Sequence, residues 1–398
     1  MKQVQEAYIV AATRSPIGRS HRGFFRNTRP DDLLVKIMQA ALAQVPSLDP
    51  NSIEDLIVGC AMPEGQQGLN IARTAAVLAG LPTSVGGVSI NRFCASGLNA
   101  IQMAADRIRV GEADVMFAAG VESMSMVPMG GNSPSLSPSI FEKDENVGIA
   151  YGMGLTAEKV AAQWKVSRED QDAFAAQSHK RALAAMEAGH FANEITPVEV
   201  IDRSPNLQTG EVIEKKRTVS LDEGARADTS VEGLAKLKAV FAARGSVTAG
   251  NSSQTSDGAG ALILASEKAI KQFGLKPLAR FVSFASKGVP PHIMGIGPIE
   301  AIPAALRFAG LTKEDMDWIE LNEAFAAQSL AVVNTLGLDP AKVNPMGGAI
   351  ALGHPLGATG AIRAATVIHA LQRNQLKYGM VSMCVGMGQG VAGNFERV

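Results

Sequence analysis

The sequence predicts an α/β protein built from two similar halves with an insertion, and three observations carry that reading. Apolar runs of strand length alternate with longer segments of helical periodicity. The same alternation returns later in the chain, and a stretch of different character lies between the two copies.

Taken in order, the apolar run Ala7–Ala12 reads as a strand and Asp31–Val45 as a helix. Asp55–Gly59 is a second strand, Asn70–Leu81 a second helix, and Val85–Ile90 a third strand leading into a long helix from Gly97 to Val110. Runs with so little polar alternation suit strands buried under helices, which is the layered α/β arrangement. The second copy begins further on. Leu48-Asp49 through Ile53-Glu54-Asp55-Leu56-Ile57-Val58-Gly59-Cys60 lines up with Leu311-Thr312 through Met316-Asp317-Trp318-Ile319-Glu320-Leu321-Asn322-Glu323 at one constant offset, 48 to 311 and 59 to 322. Each copy reads as a capped short helix leading into a strand. Ala7–Ala11 pairs loosely with Ala279–Ser283, and the glycine-rich turn at Cys94 with the one ending at Gly360. Between the halves, Glu122–Asn146 is rich in Met, Pro, Ser and Gly, Leu155–Gly189 is amphipathic helix, and Glu194–Leu234 is charged and turn-rich. Core-like sequence returns at Ser246–Gly250 and Gly260–Ser266. The division expected is 1–121 with 246–272 as one half, 122–245 as the insertion and 273–398 as the other half.

A length of 398 residues and 46% hydrophobic content supply enough apolar side chain for two or three core-forming units. With 37 basic and 38 acidic residues, the net charge of −1 gives no global attraction to nucleic acid or membrane. A polyanionic ligand must therefore be met by a local basic patch. Met1–Ala7 holds two charges and no signal-like apolar stretch, and no segment has the ~18 consecutive apolar residues of a membrane span. A cytoplasmic location is the expectation. Three widely spaced cysteines fit a reducing compartment, and without a Cys-x-x-Cys pair they speak against zinc.

Three segments carry chemistry. Cys94, in Asn91-Arg92-Phe93-Cys94-Ala95-Ser96-Gly97, sits where a strand gives way to a helix. Backbone N–H groups and the positive end of a helix dipole favour thiolate there, and small neighbours let a substrate approach. Alone it could be packing, since free cysteine is among the most buried residue types. The second segment, Gly347-Gly348-Ala349-Ile350-Ala351-Leu352-Gly353-His354-Pro355-Leu356-Gly357-Ala358-Thr359-Gly360, puts one imidazole in an exposed glycine-framed turn. Such a histidine is a candidate base. Cys384-Val385-Gly386-Met387-Gly388-Gln389-Gly390 places another cysteine at the exit of the apolar strand Gly379–Met383.

Together with Asn322-Glu323-Ala324-Phe325, these motifs make a set that resembles the thiolases, in particular the degradative 3-ketoacyl-CoA thiolases. The resemblance runs over nearly the whole chain, from Ile9-Val10-Ala11-Ala12-Thr13-Arg14-Ser15-Pro16-Ile17-Gly18 to Asn394-Phe395-Glu396-Arg397-Val398. It implies the thiolase fold, two βαβαβαββ halves forming a five-layered α-β-α-β-α core, with a loop domain inserted in the first half that covers the coenzyme. It also implies CoA-dependent thiolytic cleavage of 3-ketoacyl-CoA, with coenzyme A as co-substrate, no tightly bound cofactor or metal, acyl-CoA substrates and a homodimer or homotetramer.

By the same resemblance, Cys94 is the nucleophile that becomes acylated, His354 its activating base, and Cys384 the acid and base that serves the acetyl-CoA enolate and the incoming CoA thiol. One oxyanion site uses His354 and a water held by Asn322, and the other the backbone N–H groups of Cys94 and Gly386. Arg226 matches a position near the nucleotide end of CoA, Ser253 one near the pantetheine, and Met153, Met294 and Phe325 residues of the thioester pocket. Short-chain acetoacetyl-CoA thiolases often carry a His before the methionine equivalent to Met153, whereas this chain has Gly152. Its absence should widen the acyl pocket, so a medium-to-long or broad acyl range is expected. The alternatives are an acetoacetyl-CoA-specific acetyltransferase, a decarboxylating ketosynthase, which the Cys384 motif disfavours, and a non-catalytic acyl or lipid carrier. His21, His179, His190, His292 and His369 carry no motif.

Overall fold

In a computed structural model that describes residues 4–398, the first half begins with β1 (Tyr8–Arg14), β2 (Gly18–Arg19), α1 (Pro30–Ala43), β3 (Ile53–Gly59), α2 (Ile71–Leu78), β4 (Val88–Ile90), α3 (Ser96–Arg109) and β5 (Val115–Ser123). The start of the Met1–Ala7 segment lies outside the described residues. The intervening stretch holds α4 (Met153–Trp164), α5 (Arg168–Glu187), the hairpin of β6 (Val198–Pro205) and β7 (Val212–Val219), and α6 (Val231–Ala235). The chain returns to the first sheet as β8 (Ser256–Ala265) and α7 (Glu267–Phe273). The second half comprises β9 (Ala279–Gly288), α8 (Gly297–Ala309), β10 (Trp318–Leu321), α9 (Ala326–Leu336), α10 (Ala349–Leu352), α11 (Leu356–Asn374), β11 (Tyr378–Val385) and β12 (Gln389–Arg397).

Strand order exposes the repeat directly. The first half runs β1-β8-β5-β3-β4 and the second β9-β12-β11-β10, extended by a parallel bridge from Ile319 to Val343. In each half the first three strands pair antiparallel and the remaining pairs are parallel. The two halves touch edge to edge where β1 meets β9 over Tyr8 and Ile9.

Burial follows the strand period of two and divides the core into layers. Phe117 and Ile263 face outward onto Leu33, Leu34 and Ile37 of α1, while their neighbours Met116 and Leu262 face a central layer. That layer holds Leu98, Ile101 and Ile108 of α3 with Ile362, Val367 and Ile368 of α11. A third cluster packs Ile302 and Leu306 of α8 on Met380 and Ala392. Three helix layers thus enclose two sheet layers.

The central helices cross closely. A Cβ at Gly97 would come within 2.7 Å of the Ala361 backbone nitrogen, and one at Gly360 would overlap the Leu98 backbone nitrogen. The small residues after Cys94 therefore serve helix contact. This corrects the expectation that Gly97 makes room for substrate.

The helix expected over 155–189 is broken into α4 and α5 at Lys165, which adopts a left-handed conformation (φ 55). The charged stretch before Leu234 contains the β6–β7 hairpin, most of whose side chains are exposed. No helix among the described residues is long and apolar enough to cross a membrane.

Candidate active site

The three expected chemical groups lie at strand or turn exits that meet between the halves. Cys94 sits in a short 3-10 turn, Phe93–Ala95, just before α3. Phe93 precedes it with φ 43, and Met387 follows Cys384 with φ 64. A non-glycine residue in that region costs roughly 1–2 kcal/mol, so both cysteine turns are held by their surroundings. His354 follows Gly353, whose φ of 103 suits glycine and whose Cβ would strike the Ser256 hydroxyl. The His354 backbone N–H donates to that hydroxyl at 3.2 Å, which ties the turn to the first half.

The side chains converge. The Gly386 and Cys94 backbone N–H groups lie close enough to the Cys94 sulfur to favour its thiolate, and the Cys384 thiol is close enough to interact electrostatically with Cys94. The Asn322 backbone N–H donates to the carbonyl of Ser382, two residues before Cys384, at 2.9 Å, and its amide Nδ2 lies 3.3 Å from His354 Nε2. The Asn322 Oδ1 is buried without a protein partner. Met153, Met294 and Phe325 pack with Ala157, Val247 and Ala324 around Cys384. A Cβ on Gly386 would touch Phe93 at 3.5 Å and the Met153 sulfur at 3.9 Å. Gly152 is the N-cap of α4, and a Cβ there would meet nothing within 4 Å.

Burial dominates the electrostatics. It pushes the Cys94 thiol up to about 12, against the lowering effect of the Gly386 and Cys94 N–H groups. This reverses the expected preference for thiolate, because the desolvation of a buried sulfur outweighs the end of a helix. The Cys384 thiol is raised by burial and then by Cys94. His354 is only 4% exposed, contrary to the exposed turn expected. Burial, helped by the Arg363 charge, lowers it to about 3, so the ring is neutral near pH 7.

Arg226 lies apart from this cluster. With Arg19, Arg22, His179, Gly250 and Gln254 it lines a cavity of about 540 Å³. Its guanidinium is more than half exposed and pairs loosely with Asp228 at 3.4 Å. Gln254 joins the cavity to the His354 turn, since its backbone carbonyl accepts the His354 N–H at 3.2 Å. Ser253 sits at the same junction, its N–H bonding the Ala324 carbonyl at 3.0 Å. Three arginines, Arg19, Arg22 and Arg226, make the cavity wall locally basic, with Asp228 the acidic side chain beside them.

Both parts of the chain match known family models. Residues 7–268 match the thiolase N-terminal domain and residues 275–397 the thiolase C-terminal domain. The chain belongs to the thiolase family. It is 47% identical to the 3-ketoacyl-CoA thiolase of Bacillus subtilis (strain 168), over 99% of this chain and all of that protein. Among solved structures, the acetyl-CoA acetyltransferase of Bacillus anthracis superposes with a TM-score of 0.89 at 40% identity, each chain fully covered. Human mitochondrial 3-ketoacyl-CoA thiolase in complex with CoA gives 0.87 at 37% identity, again with both chains fully covered.

Three residues of this thiolase-family site escaped sequence reasoning. Thr359 bonds His354, and its place five residues on, inside the same motif, was the available signal. Glu122 ends the apolar run of β5 and is fully buried. It accepts from the backbone N–H groups of Ala61 (2.7 Å) and Gly357 (2.8 Å) and from Gln67, tying the His354 turn to the first half. His179 carries no sequence signal, yet its Nδ1 accepts the Arg226 N–H at 3.1 Å on the cavity wall. Burial lowers it to about 4, with Arg226 and Arg19 adding to the effect. No group of His, Cys, Asp or Glu among the described residues is placed to hold a metal ion.

Proposed function

We propose that this chain is a 3-ketoacyl-CoA thiolase, which uses coenzyme A to cleave 3-ketoacyl-CoA into acetyl-CoA and a shortened acyl-CoA. The observation that carries the reading is the meeting of two buried thiols, Cys94 and Cys384, beside a neutral His354 and the Gly386 N–H. A nucleophile and two proton carriers are what carbon–carbon cleavage of a 3-keto thioester requires.

Cys94 rests as a neutral thiol and gives its proton to His354 Nε2 as its sulfur bonds the ketone carbon. The Cα–Cβ bond then breaks and its electron pair passes into the acetyl-CoA enolate, which takes the Cys384 proton. Acetyl-CoA leaves. The incoming CoA thiol gives its proton to the Cys384 thiolate, and its sulfur attacks the acyl-Cys94 thioester. Cys94 departs as thiolate and recovers the proton from His354. The N–H groups of Cys94 and Gly386 receive one developing oxyanion, and His354 with a water on Asn322 Oδ1 the other.

Arg226 with its neighbours meets the phosphates of CoA, Ser253 lies toward the pantetheine, and Met153, Met294 and Phe325 line the thioester pocket. Residues 122–245 form the covering domain. The open space at Gly152 supports acyl chains longer than acetoacetyl. A cytoplasmic homodimer is the assembly favoured: the peroxisomal thiolase of Saccharomyces cerevisiae, described as dimeric, superposes at a TM-score of 0.88, and exposed Val77, Leu78 and Val88 flank the open sheet edge at β4.

A chain-length series of 3-ketoacyl-CoA substrates, assayed with free CoA, tests the reading. Acetyl-CoA and the shortened acyl-CoA should appear in equal amounts, only when CoA is present. Absence of cleavage at every length, or CO2 release from malonyl thioesters, would contradict it.

A further inference from the structure

The ring of His354 is gripped on both nitrogens. Nδ1 lies 2.6 Å from the Thr359 hydroxyl, and that hydroxyl lies 3.1 Å from the Pro355 carbonyl one helical turn back. Both side chains are buried, so water cannot substitute for either bond. A hydroxyl has a single proton, and a carbonyl can only accept. The Thr359 proton therefore goes to Pro355, as is common for threonine in a helix, and a Thr359 lone pair receives Nδ1–H.

The opposite face agrees. The Asn322 amide nitrogen stands 3.3 Å from Nε2 and is a donor, so it fits an unprotonated ring nitrogen and opposes a protonated one. The other tautomer would require the Asn322 amide to be reversed and would cost Thr359 its bond to Pro355. Because His354 is lowered to about 3, mainly by burial, the doubly protonated ring that would make the tautomer irrelevant is absent near neutral pH.

We infer that Thr359 is a positioning residue that holds His354 in its Nδ1–H tautomer, keeping Nε2 unprotonated and so able to accept the Cys94 proton. This rests on the base role assigned to His354 above. Which ring nitrogen carries the proton is set by the partner of the other, and Thr359 is that partner here. Its place in the first turn of α11, clamped against α3 at Gly97 and Gly360, makes the hydroxyl a fixed reference.

The test combines two readouts on the full-length enzyme. Thr359→Val keeps the shape and removes the hydroxyl, whereas Thr359→Ser restores it. Thiolysis kcat should fall roughly 10–100-fold in the Val variant, the range seen when the outer partner of a ligating histidine is removed. The Ser variant should stay near the parent. Nitrogen-15 spectra of labelled histidine, with the His354 signals identified by their loss in His354→Asn, should show Nδ1–H in the parent and a tautomer mixture in Thr359→Val. A parent ring protonated at Nε2 would overturn the inference whether or not any variant folds. A Val variant matching the parent in both readouts would also overturn it, as would a Ser variant as impaired as Val. An inactive parent whose ring is protonated at Nδ1 would uphold the tautomer and sink the assigned reaction.

Discussion

At Cys94 burial lifts the thiol to about 12, and at His354 it lowers the imidazole to about 3. Both groups are thus neutral at rest. In the proposed reaction the proton transfer belongs to the attack itself, which avoids a standing ion pair in an apolar pocket. Cys384 shares this burial, and its proton exchange can be watched separately from acylation. Cys384→Ala should still acylate Cys94 from acetyl-CoA but lose exchange of the acetyl methyl protons with deuterated solvent by about 10²–10⁴-fold. Normal exchange in that variant would move the base elsewhere. Gly152 tests the acyl pocket by size. Gly152→His should lower kcat/KM for long-chain 3-ketoacyl-CoA more than for acetoacetyl-CoA, because a ring there blocks only substrates that reach it. At about 0.8 kcal/mol for each excluded methylene, two lost contacts shift the preference roughly tenfold. An unchanged long-to-short ratio would remove Gly152 from the acyl path.

The elements that carry these residues are fixed by the crossing of α3 and α11. Gly97 and Gly360 let the two backbones approach, and the turns of Cys94 and His354 stand at the helix starts. Gly360→Ala should therefore destabilise the fold by about 1–3 kcal/mol or more through overpacking against backbone. Gly152→Ala, where the added carbon meets nothing within 4 Å and only the N-cap preference for glycine is lost, should cost no more than about 1 kcal/mol. Urea unfolding compares the two, and equal losses would contradict the crossing as the source of strain. The long apolar strands and periodic helices were legible in the sequence because burial on both faces leaves an unbroken apolar run. The β6–β7 hairpin was not, since exposed pairs such as Arg203 with Glu214 give charge without an apolar face. The break at Lys165 was also hidden, because a lysine carries no local signal for the left-handed conformation it adopts there, which glycine or asparagine would have announced.

Across the whole molecule, the repeat visible at residues 48–60 and 311–323 becomes two matching sheet orders, and the site is assembled from both halves. Cys94 comes from the first; Asn322, His354 and Cys384 come from the second. The motifs named these residues, but their environment was not legible. Nothing local in the sequence shows that His354 is buried or that Glu122 reaches across to Gly357. The cavity at Arg226 likewise draws on Arg19, Arg22 and His179, which lie far apart along the chain. The central claim is that this assembly makes Cys94, and neither of the other two cysteines, the carrier of the acyl group. Intact-mass analysis with peptide mapping after brief exposure to a 3-ketoacyl-CoA without free CoA tests it directly. One acyl adduct on Cys94, discharged on adding CoA, is the result expected. An adduct on Cys384 or Cys60, or none at all, would contradict it.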